Sequence, residues 1–262
     1  MLLAIDVGNT QTVIGLYKSG DESHELLDHW RIATNAERTS DELALMFSEF
    51  MLTAGHDWRT AVSGVAISSG VPFVTFELRR MCERYLGIEP VVLGAGVKTG
   101  MPVLYDNPKE VGADRIVNTI AAHHQFGGPC IVVDFGTSTN FDVVSAKGEF
   151  LGGALAPGIE ISLDALAARA AQLRKVELVR PRSAIGKNTV EALQSGALYG
   201  FAGQVDGLVD RIVEELGPVT AVVATGGLAP IVVPESRRIT HHDPELTLTG
   251  LRLVFAKNAD AT

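Results

Sequence analysis

Apolar residues in this chain recur with two alternating periods, and the alternation predicts the order of its elements. Leu2–Val7 is an almost unbroken apolar run, the pattern of a strand buried on both faces. The chain turns at Gly8–Thr10 and returns as Thr12–Tyr17. Lys18–Glu25 reads as a polar turn and Leu26–Ala33 as a third strand. The period then changes. Thr39, Ser40, Asp41 and Glu42 offer N-capping groups, and apolar residues follow at Leu43, Met46, Phe47 and Phe50, the spacing of a helix. Ala61–Ile67 predicts a buried strand ending in Ser68–Ser69–Gly70, Thr75–Tyr85 a helix and Pro90–Leu93 a strand. Strands separated by helices are expected to run parallel.

The second half repeats this order. Lys98–Val111 is irregular and rich in Gly, Pro and Asn, and Ala113–Gln125 predicts a helix joining the halves. Strands are expected at Ile131–Asp134, Thr139–Ser145 and Phe150–Ala156. Helices follow from Gly158 to about Gln172 and from Thr189 to about Leu216. Val219–Thr225 is a buried strand ending at Gly226–Gly227, His242–Leu246 is extended, and Leu248–Phe255 is a last helix. No low-complexity linker intervenes. The expected fold class is α/β with two similar lobes, residues 1–116 and 117–262.

The repetition reaches single residues. AIDVGNTQTVIGLY (Ala4–Tyr17) and VVDFGTSTNFDVV (Val132–Val144) each place an aspartate at the end of an apolar strand, then a glycine and hydroxyl- or amide-bearing turn, then a second strand. Glycine lets the backbone approach a ligand closely, and the hydroxyls and free N–H groups can hold phosphate oxygens. A carboxylate beside phosphates requires a cation between them, so each turn implies metal as well as nucleotide. One copy alone reads as an ordinary hairpin; two in matching contexts favour a ligand clamped in a cleft between the lobes.

Composition narrows the class. The chain of 262 residues is 46 % hydrophobic, with a net charge of −9 and a pI near 5.3. That balance argues against a nucleic-acid surface, which needs a basic stripe. No apolar run reaches the ~18–20 residues of a membrane span, and MLLAIDVGNT lacks the basic region and cleavage site of a signal peptide. Cys82 and Cys130 have no metal-type spacing and read as buried thiols in a reducing compartment. The expectation is a cytoplasmic protein.

Absent motifs exclude further classes. There is no G-x-x-x-x-G-K-[ST]. Gly94–Ala95–Gly96 lacks the third glycine of a dinucleotide fingerprint, and Lys98–Thr99–Gly100 has no S-x-x-K to accompany it. His123–His124 and His241–His242 have no companion ligands and read as surface or capping residues. Asp6, Gly8, Asn9 and Thr10 form the first phosphate turn, where Asp6 would orient Mg²⁺-bound water around the β- and γ-phosphates. Asp134, Gly136, Thr137 and Ser138 form the second, with Asp134 as another cation ligand. Gly226–Gly227 fits either close passage of an adenosine or a plain strand-to-helix turn. In Tyr105–Arg115, Asp114 and Arg115 fall in the first turn of a helix. Asp114 is then either a cap of the helix dipole or an acceptor for the proton of an attacking hydroxyl. Arg115 offers a two-pronged contact to a substrate carboxylate.

At these residues the chain resembles the type III pantothenate kinases, members of the acetate and sugar kinase, heat-shock ATPase and actin superfamily. The resemblance runs nearly end to end, through AIDVGNTQTVIGLY, GVKTGMPVLYDNPKEVGADRIVN, VVDFGTSTNFDVV, GGALAPGIEISLDAL, KNTVEALQSGALYG and VVATGGLAP in the family's order. It implies ribonuclease H-like, actin-like topology in each lobe, and transfer of the ATP γ-phosphoryl to the primary hydroxyl of pantothenate, the first step toward coenzyme A. It implies that Asp6, Val7, Gly8, Asn9, Thr10, Gln11, Thr12 and Val13 bind ATP, with Thr137 contributing. Asp134 would hold a monovalent cation, K⁺ or ammonium. Gly112, Ala113, Asp114 and Arg115 would line the pantothenate pocket with Tyr105 and Thr189, Asp114 being the proton acceptor. The family is a homodimer, so a second copy of the chain is an implied partner, and the long apolar helices of the second lobe offer an interface. Two departures stand out: Asn140 where the family usually has threonine, and Gly70 where a larger apolar residue is common. Neither removes a charge or an assigned ligand. Two rival readings are another kinase of the superfamily, acting on a sugar or short acid, and a non-catalytic regulator like the Bvg accessory factors. Arg115 favours an anionic acceptor over a sugar, and the intact set Asp6, Asp114, Asp134 and Thr137 weighs against the regulator.

Overall fold

A computed structural model describes residues 1–18, 25–170 and 176–259. In chain order it contains β1 (Leu2–Val7), β2 (Gln11–Tyr17), β3 (Leu26–Ala33), α1 (Ser40–Thr53), α2 (Trp58–Ala61), β4 (Gly64–Ser69), α3 (Pro72–Met81) and β5 (Val91–Val92). Then come α4 (Ala113–Phe126), β6 (Cys130–Phe135), β7 (Ser138–Val144), β8 (Phe150–Pro157), α5 (Ile159–Arg169) and α6 (Thr189–Leu216). The remaining elements are β9 (Ala221–Thr225), α7 (Ala229–Val232), β10 (His241–His242) and α8 (Leu246–Ala259). The chain divides into two compact units. The first comprises Met1–Gly100, Lys109–Ala121 and Thr247–Thr262; the second comprises Met101–Pro108 and Ala122–Leu246.

Each unit is built on a five-stranded sheet, and the two sheets have the same plan. The first runs β3-β2-β1-β4-β5 and the second β8-β7-β6-β9-β10. In each, the leading strand pairs antiparallel with the strand that follows it and parallel with the strand reached through helices. The first core packs Leu3, Ile5, Ile14 and Leu16 of the sheet against Phe47 and Met51 of α1 and Leu78 and Met81 of α3. The second packs Ile131, Val133, Phe141 and Val222 against Leu198, Val205 and Val209 of α6. At roughly 1.5–3 kcal/mol per fully buried large side chain, these clusters are the main stabilising contribution to each unit.

Local chemistry accounts for the helix starts. Thr39 caps α1 in a reciprocal box with Glu42, whose carboxylate accepts the Thr39 N–H at 2.8 Å. The buried carboxylate of Glu77 on α3 accepts the Ser40 N–H at 2.8 Å, tying the two helices together. Asn188 caps α6 by accepting the Glu191 N–H at 2.9 Å. In the first unit, α8 is tied to α4 by the Thr247 hydroxyl, which donates to Asn118 Oδ1 at 2.7 Å.

Several expected boundaries shift. Ala61 closes the short helix α2 instead of opening a strand, because the Asp57 side chain accepts the Arg59 N–H and starts a helical turn. The helix expected from Thr75 begins at Pro72, a residue preorganised for a first helical turn. Of the extended segment expected over His242–Leu246 only His242 is strand, joined by His241 in β10: Asp243 Oδ1 accepts the Glu245 N–H at 2.9 Å and Leu246 opens α8. Most of the polar turn expected over Lys18–Glu25, and the end of the helix expected to reach Gln172, lie outside the described residues.

Candidate active site

Both aspartate turns form where the leading strand of a sheet ends. In the first unit Asp6 pairs with Val13 of β2 and Ser68 of β4. In the second, Asp134 pairs with Asn140 of β7 and Thr225 of β9. The first turn is closed by the Gly8 N–H donating to Gln11 O at 3.0 Å, the second by the Gly136 N–H donating to Ser138 O at 3.0 Å. The second is therefore one residue tighter. Asn9, Thr10 and Gln11 are exposed, as are Gly136 and Thr137, whereas Val7 and Thr12 are buried.

Asp6 sits in a strongly perturbed environment of the first unit. Desolvation, then the nearby negative charge of Asp114, push its carboxyl up from 3.8 to about 7, although the Ser68 hydroxyl donates to it and opposes the rise. The fold thus brings Asp6, Ser68 and Asp114 together from β1, β4 and the start of α4. Two carboxylates crowded together repel each other, and the same arrangement favours a bound cation. Among the described residues no group of three or more His, Cys, Asp and Glu is arranged to hold a metal. The pair fits an ion that keeps waters and takes its other ligands from phosphate, as Mg²⁺ commonly does.

Asp114 stands at the start of α4, where the helix-dipole reading places it. Its Oδ1 accepts the Arg115 N–H at 2.9 Å, a charge at the start of α4 that suits the helix dipole. Its charge also reaches Asp6. Arg115 is buried beside it; Gly112 is exposed, and Ala113 is partly so.

The other expected residues lie in the second unit. Asp134 is partly exposed, and Gly226, with φ of +91°, packs against it; a Cβ at Gly226 would stand 2.5 Å from Asp134 Oδ1 and 2.6 Å from Phe135 O. That glycine is thereby required for a close approach within the protein as well as for the turn after β9. Tyr105 is half-buried with its ring edge-on to Phe150 at 6.2 Å. Thr189 is the exposed first residue of α6, next to its cap Asn188. Cys82 and Cys130 are buried, and desolvation pushes both thiols up to about 12, which leaves them protonated and inert. His241 packs its ring on Phe126 and pairs with the Thr240 hydroxyl at 2.8 Å.

Sequence reasoning passed over two residues that bear on the first turn. Ser68 appeared only as the end of a strand, although its parallel register with Asp6 identifies it. Thr34, directly after β3, donates its hydroxyl to Gly8 O at 2.8 Å and its N–H to Thr10 O at 2.9 Å.

A family model described as type III pantothenate kinase matches residues 2–211. A type III pantothenate kinase of Acidothermus cellulolyticus is 61 % identical over 98 % of this chain and 99 % of its own length. One from Frankia alni is 61 % identical over 98 % and 100 %. Among solved structures, the activator of 2-hydroxyisocaproyl-CoA dehydratase from Clostridium difficile, with bound ADPNP, superposes with a TM-score of 0.58 at 12 % identity. It covers 99 % of this chain and 96 % of its own. At that identity the likeness concerns the fold, which is the actin-like α/β fold expected for each unit.

Proposed function

The chain belongs to the type III pantothenate kinase family, and from that premise we propose how its residues carry out the reaction. It is an ATP-dependent kinase that phosphorylates pantothenate in coenzyme A biosynthesis, with ATP and a divalent metal as its requirements. Residues Asp6 to Val13 take the ATP phosphates, with Thr137 contributing from the second turn. Asp6 would hold Mg²⁺ through bound water, and the ion would supply charge neutralisation to the triphosphate. Asp134 holds a monovalent cation, K⁺ or ammonium.

Asp114 accepts the proton of the primary hydroxyl of pantothenate as that oxygen attacks the γ-phosphorus in line. Phosphoryl transfer proceeds through a loose transition state in most analyses, so Asp114 contributes more by positioning the alcohol than by base strength. Arg115 pairs its planar guanidinium with the pantothenate carboxylate, while Tyr105, Gly112, Ala113 and Thr189 complete the substrate contacts. The observation that supports these roles is the closeness of Asp6 and Asp114, whose negative charge raises the Asp6 carboxyl. It supports a reacting centre where a metal-water site and a base lie close together.

The functional unit is a homodimer. Ile161 and Leu166 of α5 and Val190 of α6 expose apolar surface in support of this. The net charge of −9 disfavours nucleic acid as a partner. Among the described residues no helix is long and apolar enough to cross a membrane. A coupled ADP-release assay, with and without pantothenate at fixed Mg²⁺ and K⁺, tests the reading. Release that does not depend on pantothenate would overturn it.

A further inference from the structure

We infer that Thr34 is a positioning residue for the first phosphate turn: its hydroxyl aims the backbone N–H of Asn9 at the nucleotide. The inference deepens the proposed function and rests on the reading of that turn as the ATP-phosphate site. Thr34 O–H donates to Gly8 O at 2.8 Å, and Thr34 Oγ1 lies 2.9 Å from Thr12 Oγ1. A hydroxyl has one proton. Thr34 commits its own to the Gly8 carbonyl, so Thr12 is the donor in the second contact. The result is a directed chain from the buried Thr12 hydroxyl through Thr34 to the Gly8 carbonyl, in which each bond polarises the next.

The consequence follows from the planar peptide. The Gly8–Asn9 bond is trans, so its carbonyl and the Asn9 N–H point in opposite directions. Holding the Gly8 oxygen toward Thr34 therefore turns the Asn9 N–H away from β3, on an exposed residue of the turn. An oriented backbone N–H in such a turn is the group that a phosphate oxygen accepts from. Without the hydroxyl, that peptide plane would lose its side-chain anchor, and more of the ordering of the N–H would fall at the moment of binding.

The second unit supplies an internal control. Thr12 pairs with Val7 and Ile32, and Thr139 pairs in the same way with Phe135 and Ala156. Two residues beyond Ile32 stands Thr34; two beyond Ala156 stands Gly158. Both donate their N–H to the turn, Thr34 to Thr10 O at 2.9 Å and Gly158 to Thr137 O at 3.0 Å. The backbone closure is thus common to both units. The hydroxyl relay is confined to the first, and Thr139 Oγ1, fully buried, has no hydrogen-bond partner among the described residues. Gly158 has no side chain to reach it. Closing the sheet and turn does not require the Thr34 hydroxyl, which frees it for a task specific to the first turn.

The test compares T34V, which keeps the shape and removes the hydroxyl, with T34S, which keeps the hydroxyl. Steady-state kinetics would vary ATP and pantothenate separately, and calorimetry would follow binding of ATP with Mg²⁺. T34V should lose about tenfold or more in kcat/KM for ATP and in ATP affinity, with KM for pantothenate unchanged. T34S should retain wild-type values. T34A serves as a second hydroxyl-free variant should T34V not fold, and T12V should add little to T34V because both break one relay. A T34V enzyme with wild-type ATP parameters, or T34V and T34S impaired alike, would overturn the inference. A wild-type protein that binds ATP but releases no ADP with pantothenate would instead overturn the kinase reading, while the calorimetric comparison would still judge Thr34.

Discussion

Asp6→Asn should stabilise the metal-free protein while removing its activity, and the size of the gain should depend on pH in a defined way. In the folded protein the Asp6 carboxyl is pushed up from 3.8 to about 7, by burial first and by the charge of Asp114 second. The folded state therefore holds a proton on Asp6 across a pH range where the unfolded chain has released it. Stability falls with rising pH wherever the folded state binds the extra proton. The contribution of Asp6 is thus fully favourable below pH 3.8, declines between about 4 and 7, and is absent above that. A shift of about three units corresponds to at most about 4 kcal/mol at 1.36 kcal/mol per unit. Asp6 keeps a solvent-facing edge, where water screens the charge and reduces the difference below that ceiling.

Asparagine preserves the shape and can still accept from Ser68, but it carries no charge to desolvate. In urea titrations of the metal- and nucleotide-free protein, wild type and Asp6→Asn should nearly coincide close to pH 4. They should separate progressively to a plateau above pH 7, with the variant more stable by up to about 4 kcal/mol, a large fraction of a typical folding free energy of 5–15 kcal/mol. In thermal melts the plateau amounts to on the order of 10 °C. Adding Mg²⁺ with ATP should stabilise wild type far more than the variant, because binding favours the state that holds the ligand. A constant offset at all pH values, or a variant less stable at pH 8, would refute the account of Asp6.

Three further outcomes are expected. Asp114→Asn should lower kcat by roughly 10²–10⁴-fold with little change in KM for ATP, and normal turnover in that variant would remove its role as proton acceptor. Replacing K⁺ and ammonium by a larger organic cation at constant ionic strength should slow the reaction, and indifference to that exchange would contradict the role proposed for Asp134. Gly226→Ala should destabilise the second unit by more than about 1 kcal/mol, because φ of +91° is strained for alanine and its Cβ would press on Asp134 and Phe135; an unchanged unfolding midpoint would show that the turn yields.

The parts of this architecture that were legible in the sequence are those written in local pattern. The apolar runs Leu2–Val7 and Ile131–Asp134 lie in leading strands, and the Thr39–Glu42 pair gives a capping box at the start of α1. The strand–turn–strand repeat was visible because the two copies share residues as well as period. What escaped was set by distant partners. Ser68 meets Asp6 only through the parallel register of β1 with β4, across the intervening α1 and α2. Thr34 meets Gly8 through the antiparallel pairing of β2 with β3, which a local reading of Leu26–Ala33 does not position. The start of β4 was misjudged for a local reason, since Asp57 outweighs the strand propensity of the following residues by capping a helical turn.

One sheet plan serving twice also shows how duplicate turns diverge in chemistry. The backbone bonds that close each turn recur within about 0.1 Å, from Gly8 and Gly136 and again from Thr34 and Gly158. The side chains around them do not. The first turn gains a hydroxyl relay from Thr34, directly after β3, and burial together with a second carboxylate from α4 pushes its aspartate up. The second replaces the relay with a glycine and sets Asp134 against the backbone of another glycine, Gly226. A frame whose closure depends on backbone bonds alone leaves its side chains free to specialise. Converting Gly158 to threonine is then not a neutral exchange of one turn for the other, because a Cβ there would collide with the carbonyls of Gly136 and Thr137. The tighter second turn has no room for the relay that the longer first turn accommodates.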